Sequence, residues 1–124
     1  MTEGRRNRLP RTRRITSSNE IRALFQRGKR SRTSHLDVFD STSPFAYPRV
    51  GVVVPKHRRN SVERNRLKRR LREVLRLQVL PRLADRAANV DILVRARGEA
   101  YGASFEQLNE ELVDYVERTW SRVP

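Results

Sequence analysis

The chain has no cysteine, two histidines, and only one Trp, three Tyr and four Phe among its 124 residues. Without cysteine it can form neither a disulfide bond nor a Cys-type zinc site, and we therefore expect a reducing, cytoplasmic location. No apolar run approaches the roughly 18 residues of a membrane-spanning helix, so we expect no such helix. The amino-terminal residues lack the apolar centre of a secretory signal, and we expect none.

Side chains for an independent catalytic centre are also sparse. A metal-dependent nuclease needs clustered carboxylates or a positioned histidine beside the phosphate. His35 and Asp37 share one face of a predicted strand, whereas Asp40 and His57 stand alone. We interpret His35 as a strand-edge residue rather than a ligand, and His57 as a surface donor rather than a general base. The sequence therefore predicts no catalytic residue, no metal ligand and no cofactor bound by the protein alone.

Positive charge is what the chain has in excess. It carries 28 Lys and Arg against 14 Asp and Glu, a formal net charge of +14 and an isoelectric point of about 11.6. Such a balance points to a nucleic acid or an anionic membrane as partner, and of the two we expect the nucleic acid and no membrane. Basic residues crowd positions 5–32 and 56–76, whereas residues 98–117 contain acids and no Lys or Arg. This asymmetry predicts one binding side and one solvent side.

The densest basic segment, residues 55–76, has the pattern of an amphipathic helix from Ser61 onward. Ser61 can cap its first turn, and four apolar residues, Leu67, Leu71, Val74 and Leu75, recur at helical spacing on one side. The opposite side carries Asn65, Lys68, Arg69, Arg72 and Arg76.

This helix face carries charge of one sign, which is costly because basic residues three and four positions apart repel one another. The simplest alternative is a solvated face, but solvated faces usually mix signs. Arginine forks bind phosphate oxygens in pairs, and an asparagine among them both donates and accepts hydrogen bonds. We therefore interpret the face as a binding surface for a polyphosphate.

Periodicity along the chain predicts an α+β fold, a small single-domain α/β sandwich of order α-β-β-β-α-β-α. We expect a flexible basic arm at 1–14, one RNA-binding domain at 15–120 and a tail at 121–124. The strand at 50–54 is apolar on both faces and should lie in the centre of the sheet, parallel to the last strand. The two would form a strand–helix–strand crossover in a mixed sheet. Predicted helices are 18–27, 61–80 and 104–120, and predicted strands are 29–32, 36–39, 50–54 and 90–96.

One ordered set of motifs carries a family resemblance. The segment ERNRLKRRLRE, led by RVGVVVPK and a short RRNSV loop, resembles the signature of the bacterial ribonuclease P protein component, and the resemblance runs from about residue 8 to residue 120. It implies a ribonucleoprotein endonuclease in which a large RNA holds magnesium and cuts the 5′ leader from precursor tRNA, leaving a 5′-phosphomonoester. The small protein would bind the catalytic RNA, in a 1:1 complex, and the precursor tRNA.

The resemblance also implies two sites. The residues that would bind the catalytic RNA are Lys56, Arg58, Arg59, Arg64, Asn65, Arg66, Lys68, Arg69 and Arg72. The leader would lie in a cleft between the first helix and the open sheet face, lined by Ile21, Phe25, Leu36 and Phe39. Ile21 and Leu36 stand where the family often has Phe, which reduces the stacking surface. For Phe25 and Phe39, ordinary core packing is the alternative.

Two other classes share this size and composition: a structural RNA-binding protein of the ribosomal type and a nucleoid-type DNA binder. Neither predicts the ordered motifs. Activity on precursor tRNA, with and without the catalytic RNA, would separate all three.

Overall fold

The computed structural model describes residues 9–120, and within that range the predicted α+β order is confirmed. Short 3-10 turns at Arg11–Arg13 and Gly98–Gly102 complete the part of the chain described. The helices and strands are α1 (Ser18–Arg27), β1 (Lys29–Arg32), β2 (Leu36–Thr42), β3 (Arg49–Val53), α2 (Ser61–Val74), α3 (Leu80–Asp85), β4 (Val90–Ala96) and α4 (Phe105–Thr119).

The four strands form a mixed sheet in the order β1-β2-β4-β3. Strand β2 is antiparallel to both β1 and β4, and β3 is parallel to β4, as the strand–helix–strand pattern predicts. The sequence placed β3 in the centre, and this was wrong, because β3 is an edge strand. A strand can be apolar on both faces because other elements pack above and below the sheet. Such burial does not require a neighbouring strand on each side.

The preceding chain covers the outer side of β3. The backbone N–H of Ile15 donates to the carbonyl of Val50 at 2.8 Å, and Arg14 forms a parallel bridge with the same residue. Gly51 permits this approach, since a Cβ there would lie 3.1 Å from the carbonyl oxygen of Ile15. Residues 14 and 15 therefore cover the outer edge of β3, the strand that the sequence pattern had placed in the centre of the sheet.

Alternating side chains give the sheet two different faces. On one, Leu36 and Val38 of β2 join Ile92 and Val94 of β4 in the larger core cluster, beneath α2 and α4. On the other, Phe39 and Leu93 join Ile15 and Leu24 in a smaller cluster beneath α1. A single short helix serves this second face.

Helix α2 begins at the predicted residue, Ser61, and the helical path ends five residues later than predicted. Its N-cap is Asn60 and not Ser61, because Asn60 accepts from the backbone of Glu63 at 2.8 Å in a reciprocal capping box. A π-helical turn, Leu75–Val79, then leads into α3, which runs through Pro81 to Asp85. The predicted stop near residue 80 was wrong, since proline is tolerated in the first turn of a helix.

The amino-terminal segment also differs from its prediction in part. Residues 9–14 were assigned to the flexible arm, but Leu9 is buried in the larger core cluster and Arg11–Arg13 form a turn. Leu9, one apolar residue among many arginines, attaches this segment to the core, and the prediction of a flexible arm considered only the charges. The predicted arm at residues 1–8 and tail at 121–124 lie outside the described residues.

Candidate nucleic-acid interface

Helix α2 buries Leu67, Leu71 and Val74 and presents its polar side outward. We use the name basic ridge for Arg64, Asn65, Arg66, Lys68, Arg69 and Arg72. Its inner members border a groove of about 420 Å³ whose other wall is the chain that precedes α1. The groove is lined by Leu9, Arg14, Asn65, Lys68, Arg69, Arg72 and Glu73.

Charge in the basic ridge is largely uncompensated. Among the described residues no carboxylate lies within ion-pair distance of Arg66, Lys68, Arg69 or Arg72; Glu73, at the groove edge, is paired instead with Arg76 at 2.8 Å. These cations repel one another, and an internal partner would have relieved the repulsion. The groove therefore offers a continuous row of donors to an external polyanion.

Arg64, the first member of the basic ridge, differs from the others in its burial. It is half-buried, and its Nε donates to the carbonyl oxygen of Val54 at 3.4 Å, at the end of β3. Arg64 therefore attaches α2 to the sheet as well as adding charge to the ridge.

The loop between β3 and α2 extends the positive surface. His57 and Arg58 have φ angles of 46° and 63°, a left-handed backbone that costs non-glycine residues about 1–3 kcal/mol each. The hydroxyl of Tyr101 donates to the carbonyl of Pro55 at 2.9 Å, and the guanidinium of Arg59 lies 5.0 Å from the centre of the Tyr101 ring. Contacts with Tyr101, which lies outside the loop, therefore stabilise one loop conformation.

Within that loop the three predicted cations are not equivalent. Lys56 and Arg58 are exposed, and no ion pair to either occurs among the described residues. Arg59 is paired with Glu63 at 3.0 Å. We therefore expect Lys56 and Arg58 to contribute more charge to a polyanion than Arg59.

On the other side of the sheet, α1 and β2 bring two predicted cleft residues together. Phe25 and Phe39 pack edge to face, with ring centres 5.0 Å apart, and Ile21 packs beside them. Phe39 is only 4% exposed, which favours the core-packing interpretation for that residue. Phe25 and Ile21 are half-buried and have surface left to offer a base.

Leu36 was assigned to the same cleft, and this was wrong. It lies three positions before Phe39 in β2, an odd spacing that turns the two side chains to opposite faces of the sheet. Leu36 is fully buried in the larger cluster beneath α2 and α4. In β2, the residue two positions before Phe39, on the same face, is Asp37.

Sequence reasoning missed the cation of this cleft, Arg95 of β4. Its guanidinium lies 5.1 Å from the ring centre of Phe25 and 5.2 Å from that of Phe39. Asp37 holds it in place, with Arg95 Nη2 3.1 Å from Asp37 Oδ2. Alternation along β4 could have placed Arg95 on the Leu93 face, but its pairing opposite Asp37 follows only from the strand register.

Asp37 is the centre of a wider arginine cluster. Arg30 and Arg97 lie 3.4 and 3.2 Å from its carboxylate, which is almost completely buried. Burial raises the pKa of Asp37, but the hydrogen bond from Arg95 and the positive charge of Arg30 outweigh it, so the pKa lies below its ordinary value of 3.8. At neutral pH the carboxylate is therefore charged, and it fixes the cations at the open end of the cleft.

An ion triad with two buried members, Arg49 and Asp91, attaches the first turn of α1 to the sheet. Arg49 donates to both oxygens of Asp91, at 3.0 and 2.7 Å, and its Nη2 lies 2.7 Å from Glu20 in the first turn of α1. The hydrogen bonds to Asp91 raise the pKa of the Arg49 guanidinium above its already high ordinary value, opposed by burial and assisted by Glu20. Both cleft walls are thus joined by one charged network.

The two histidines lie apart. The backbone N–H of His35 and the hydroxyl of Thr33 donate to Glu111 Oε1 at 2.9 and 2.6 Å, and the His35 ring also contacts Glu111. His57 packs edge to face with Tyr101 in the loop before α2. In residues 9–120 no three His, Asp or Glu side chains cluster in a way that could hold a metal ion.

The basic ridge, the groove and the aromatic cleft lie on one α+β domain and are features typical of a nucleic-acid-binding protein. A family model described as Ribonuclease P matches residues 9–120. The ribonuclease P protein component of Syntrophus aciditrophicus is 34% identical over 105 residues, which are 84% of each chain. The chain thus belongs to the ribonuclease P protein family, the protein part of a ribonucleoprotein endoribonuclease that matures the 5′ end of tRNA.

Solved structures agree with the fold. The ribonuclease P protein of Staphylococcus aureus superposes with a TM-score of 0.73, at 22% identity, and covers 88% of this chain and 98% of that one. The protein from Thermotoga maritima gives a TM-score of 0.70 at 24% identity, covering 85% and 96%. None of the described helices is long and apolar enough to cross a membrane.

Proposed function

We propose that this subunit acts by holding two RNA segments at once. The basic ridge, extended by Lys56, Arg58 and Arg59, binds the catalytic RNA, and the cleft beneath α1 holds the 5′ leader of precursor tRNA. The observation that carries the first part is the groove-lining row of cations with no carboxylate partner in the described chain. A duplex or folded RNA supplies the missing negative charges at the spacing of its phosphates.

The cleft suits a single strand better than a duplex. Single-stranded RNA is commonly recognised by stacking of unpaired bases on aromatic rings and guanidinium planes. Phe25 and Arg95 supply one of each, 5.1 Å apart, beside the apolar Ile21. The leader backbone would meet Arg30, whose side chain is 54% exposed.

In this proposal the protein contributes position and electrostatics and the RNA contributes the bond-breaking chemistry. Its cations lower the repulsion between two polyanions, and the cleft immobilises the leader relative to the cut. We further propose that magnesium ions are held by the RNA, that protein and catalytic RNA combine 1:1, and that the complex works in the cytoplasm. The described residues hold no cluster of three His, Asp or Glu side chains that could bind a metal ion.

Reconstitution tests this proposal. Precursor tRNA is incubated with protein alone, with catalytic RNA alone, and with both, at a fixed low magnesium concentration. We expect no cleavage by the protein alone and faster single-turnover cleavage with both than with the RNA alone. Cleavage by purified protein without RNA, surviving nuclease treatment, would contradict the assignment. A protein that leaves the RNA-only rate unchanged would contradict it as well.

A further inference from the structure

Two aromatic rings in the loop between β2 and β3 stack on one another and on the guanidinium groups of Arg13 and Arg49, and neither proposed site uses these rings. Phe45 and Tyr47 lie nearly parallel, with ring centres 5.2 Å apart and 12° between their planes. The guanidinium of Arg13 lies 3.9 Å from the Tyr47 ring centre, and that of Arg49 lies 4.9 Å from the Phe45 ring centre. Phe45 is 46% exposed, so the stack stands at the surface.

A cavity of about 630 Å³ opens beside this stack, within the range of small-ligand sites. One wall is aliphatic, from α3, and the opposite wall is Arg13 on Tyr47. Its polar side chains are Arg13, Tyr47, Arg76 and Asn89. In the described part of the chain, Arg13 has no ion pair and the Asn89 side-chain amide makes no hydrogen bond.

The cavity continues the path of the basic ridge. Arg72 lines the ridge groove together with Leu9, and Arg76, one helical turn further on, lines this cavity together with Pro10. The two concavities therefore follow one another along the same edge of the helix. A polyanion that lies along the ridge in the direction of α3 reaches the cavity directly.

We infer that this cavity is a third RNA site, besides the basic ridge and the cleft, and that it receives one unpaired base by stacking on the guanidinium of Arg13. This inference rests on the proposed function, because it needs RNA on the ridge. Arg76, which also pairs with Glu73, meets the adjoining phosphate, and the amide of Asn89 hydrogen-bonds the edge of the base.

The stacking surface is Arg13, because the Tyr47 ring already contacts Phe45 and the Arg13 guanidinium. Phe45 and Arg13 both lie against Tyr47, so the flat group that faces the cavity is the guanidinium. Guanidinium planes stack on bases as aromatic rings do. The ring stack holds Arg13 in one orientation before RNA arrives, which reduces the entropy lost on binding.

Two substitutions separate stacking from simple charge. Arg13→Ala should weaken binding by about 5- to 150-fold, the range found when one base-stacking group is removed. Arg13→Lys keeps the charge but loses the plane, and it should bind nearly as weakly as Arg13→Ala. Affinity is measured by filter binding to catalytic RNA alone and to the catalytic RNA with precursor tRNA bound. Weakening in both arms assigns the base to the catalytic RNA, and weakening only in the second assigns it to the precursor.

Absence of cysteine allows a second, independent measurement. Ala84→Cys, in the cavity wall, carries a tethered iron chelate that cleaves nearby RNA, and Glu110→Cys on α4 is the control. We expect strong cuts at an unpaired nucleotide from position 84 only. Cuts confined to duplex, no cuts, or Arg13→Lys affinity within twofold of the parent chain would overturn the inference. If one of these results is found while ridge substitutions still abolish RNA binding, the proposed function stands without the cavity site. If the parent chain binds neither the catalytic RNA nor its complex with precursor tRNA, the proposed function and the cavity site both fail.

Discussion

Replacing Arg64, Arg66 and Arg69 together by alanine tests the basic ridge most directly. Arg66 and Arg69 are exposed and have no ion pair in the described chain, so their loss should change stability by less than about 0.5 kcal/mol each. Arg64 also bonds the carbonyl of Val54, and its loss should cost about 0.5–1.5 kcal/mol more. A domain of this size should still fold.

The size of the binding defect follows from counterion release. Each phosphate contact contributes about 0.9 to the slope of log affinity against log salt, so three lost contacts should reduce the slope by about 2–3. Six to eight contacts in the parent chain correspond to a slope of roughly −5 to −7. Extrapolated from 1 M salt, a change of this size means about a 100-fold weaker complex near 0.15 M salt and almost no difference near 1 M.

The assay is filter binding to the catalytic RNA across a salt series, with circular dichroism to confirm folding. Arg82→Ala/Arg86→Ala/Arg118→Ala is the matched control, because it removes the same charge from side chains paired with Glu117 and Asp114. We expect the control to keep nearly the parent slope. Equal losses in both variants would show that net charge alone drives binding and would refute the ridge. A ridge variant with the parent slope would refute it too.

Three further outcomes are expected. Phe25→Ala should weaken binding of precursor tRNA but not of mature tRNA, which has no leader, and a loss equal for both would contradict the cleft. Alanine at His35 or His57 should leave single-turnover cleavage within a few-fold at saturating protein, whereas loss of a general base costs about 10²–10⁴. Asp37→Asn should lower the free energy of unfolding at pH 7 by about 1.5–3 kcal/mol. Because the pKa of Asp37 is lower in the folded state, its stabilisation is present above about pH 4 and lost as pH falls below. The variant should therefore show a smaller acid-induced change in chemical denaturation between pH 5 and 2, and parallel curves would contradict this.

The basic ridge could be predicted because a helix is a local structure. A period of 3.6 residues fixes which side chains face the core, and Leu67, Leu71 and Val74 lie where that period places them. The end of the helix was harder, since Pro81 usually marks a stop. The π-helical turn before it, in which Leu80 N–H donates to the carbonyl of Leu75, depends on packing that the local sequence does not show.

The cleft could be predicted only in part, because it is built from segments far apart in the chain. Phe25 and Phe39 were found from the family resemblance, but the same source suggested Leu36 against the local rule of alternation. Period two along β2 was enough to exclude it. Alternation alone could not predict the role of Arg95, because its position opposite Asp37 depends on the register between β2 and β4. Long-range pairing of this kind leaves little trace in one sequence.

The triad of Glu20, Arg49 and Asp91 has a consequence for how tightly a leader can be held. Widening the gap between α1 and the sheet would pull Glu20 away from the Arg49 guanidinium, which is itself out of water and keeps Asp91 as its partner. Because the Glu20 side chain is 39% exposed, loss of this ion pair costs much less than breaking a fully buried one. The triad therefore resists opening of the cleft without locking it, and a leader that fits the existing gap spends the least binding energy on moving α1.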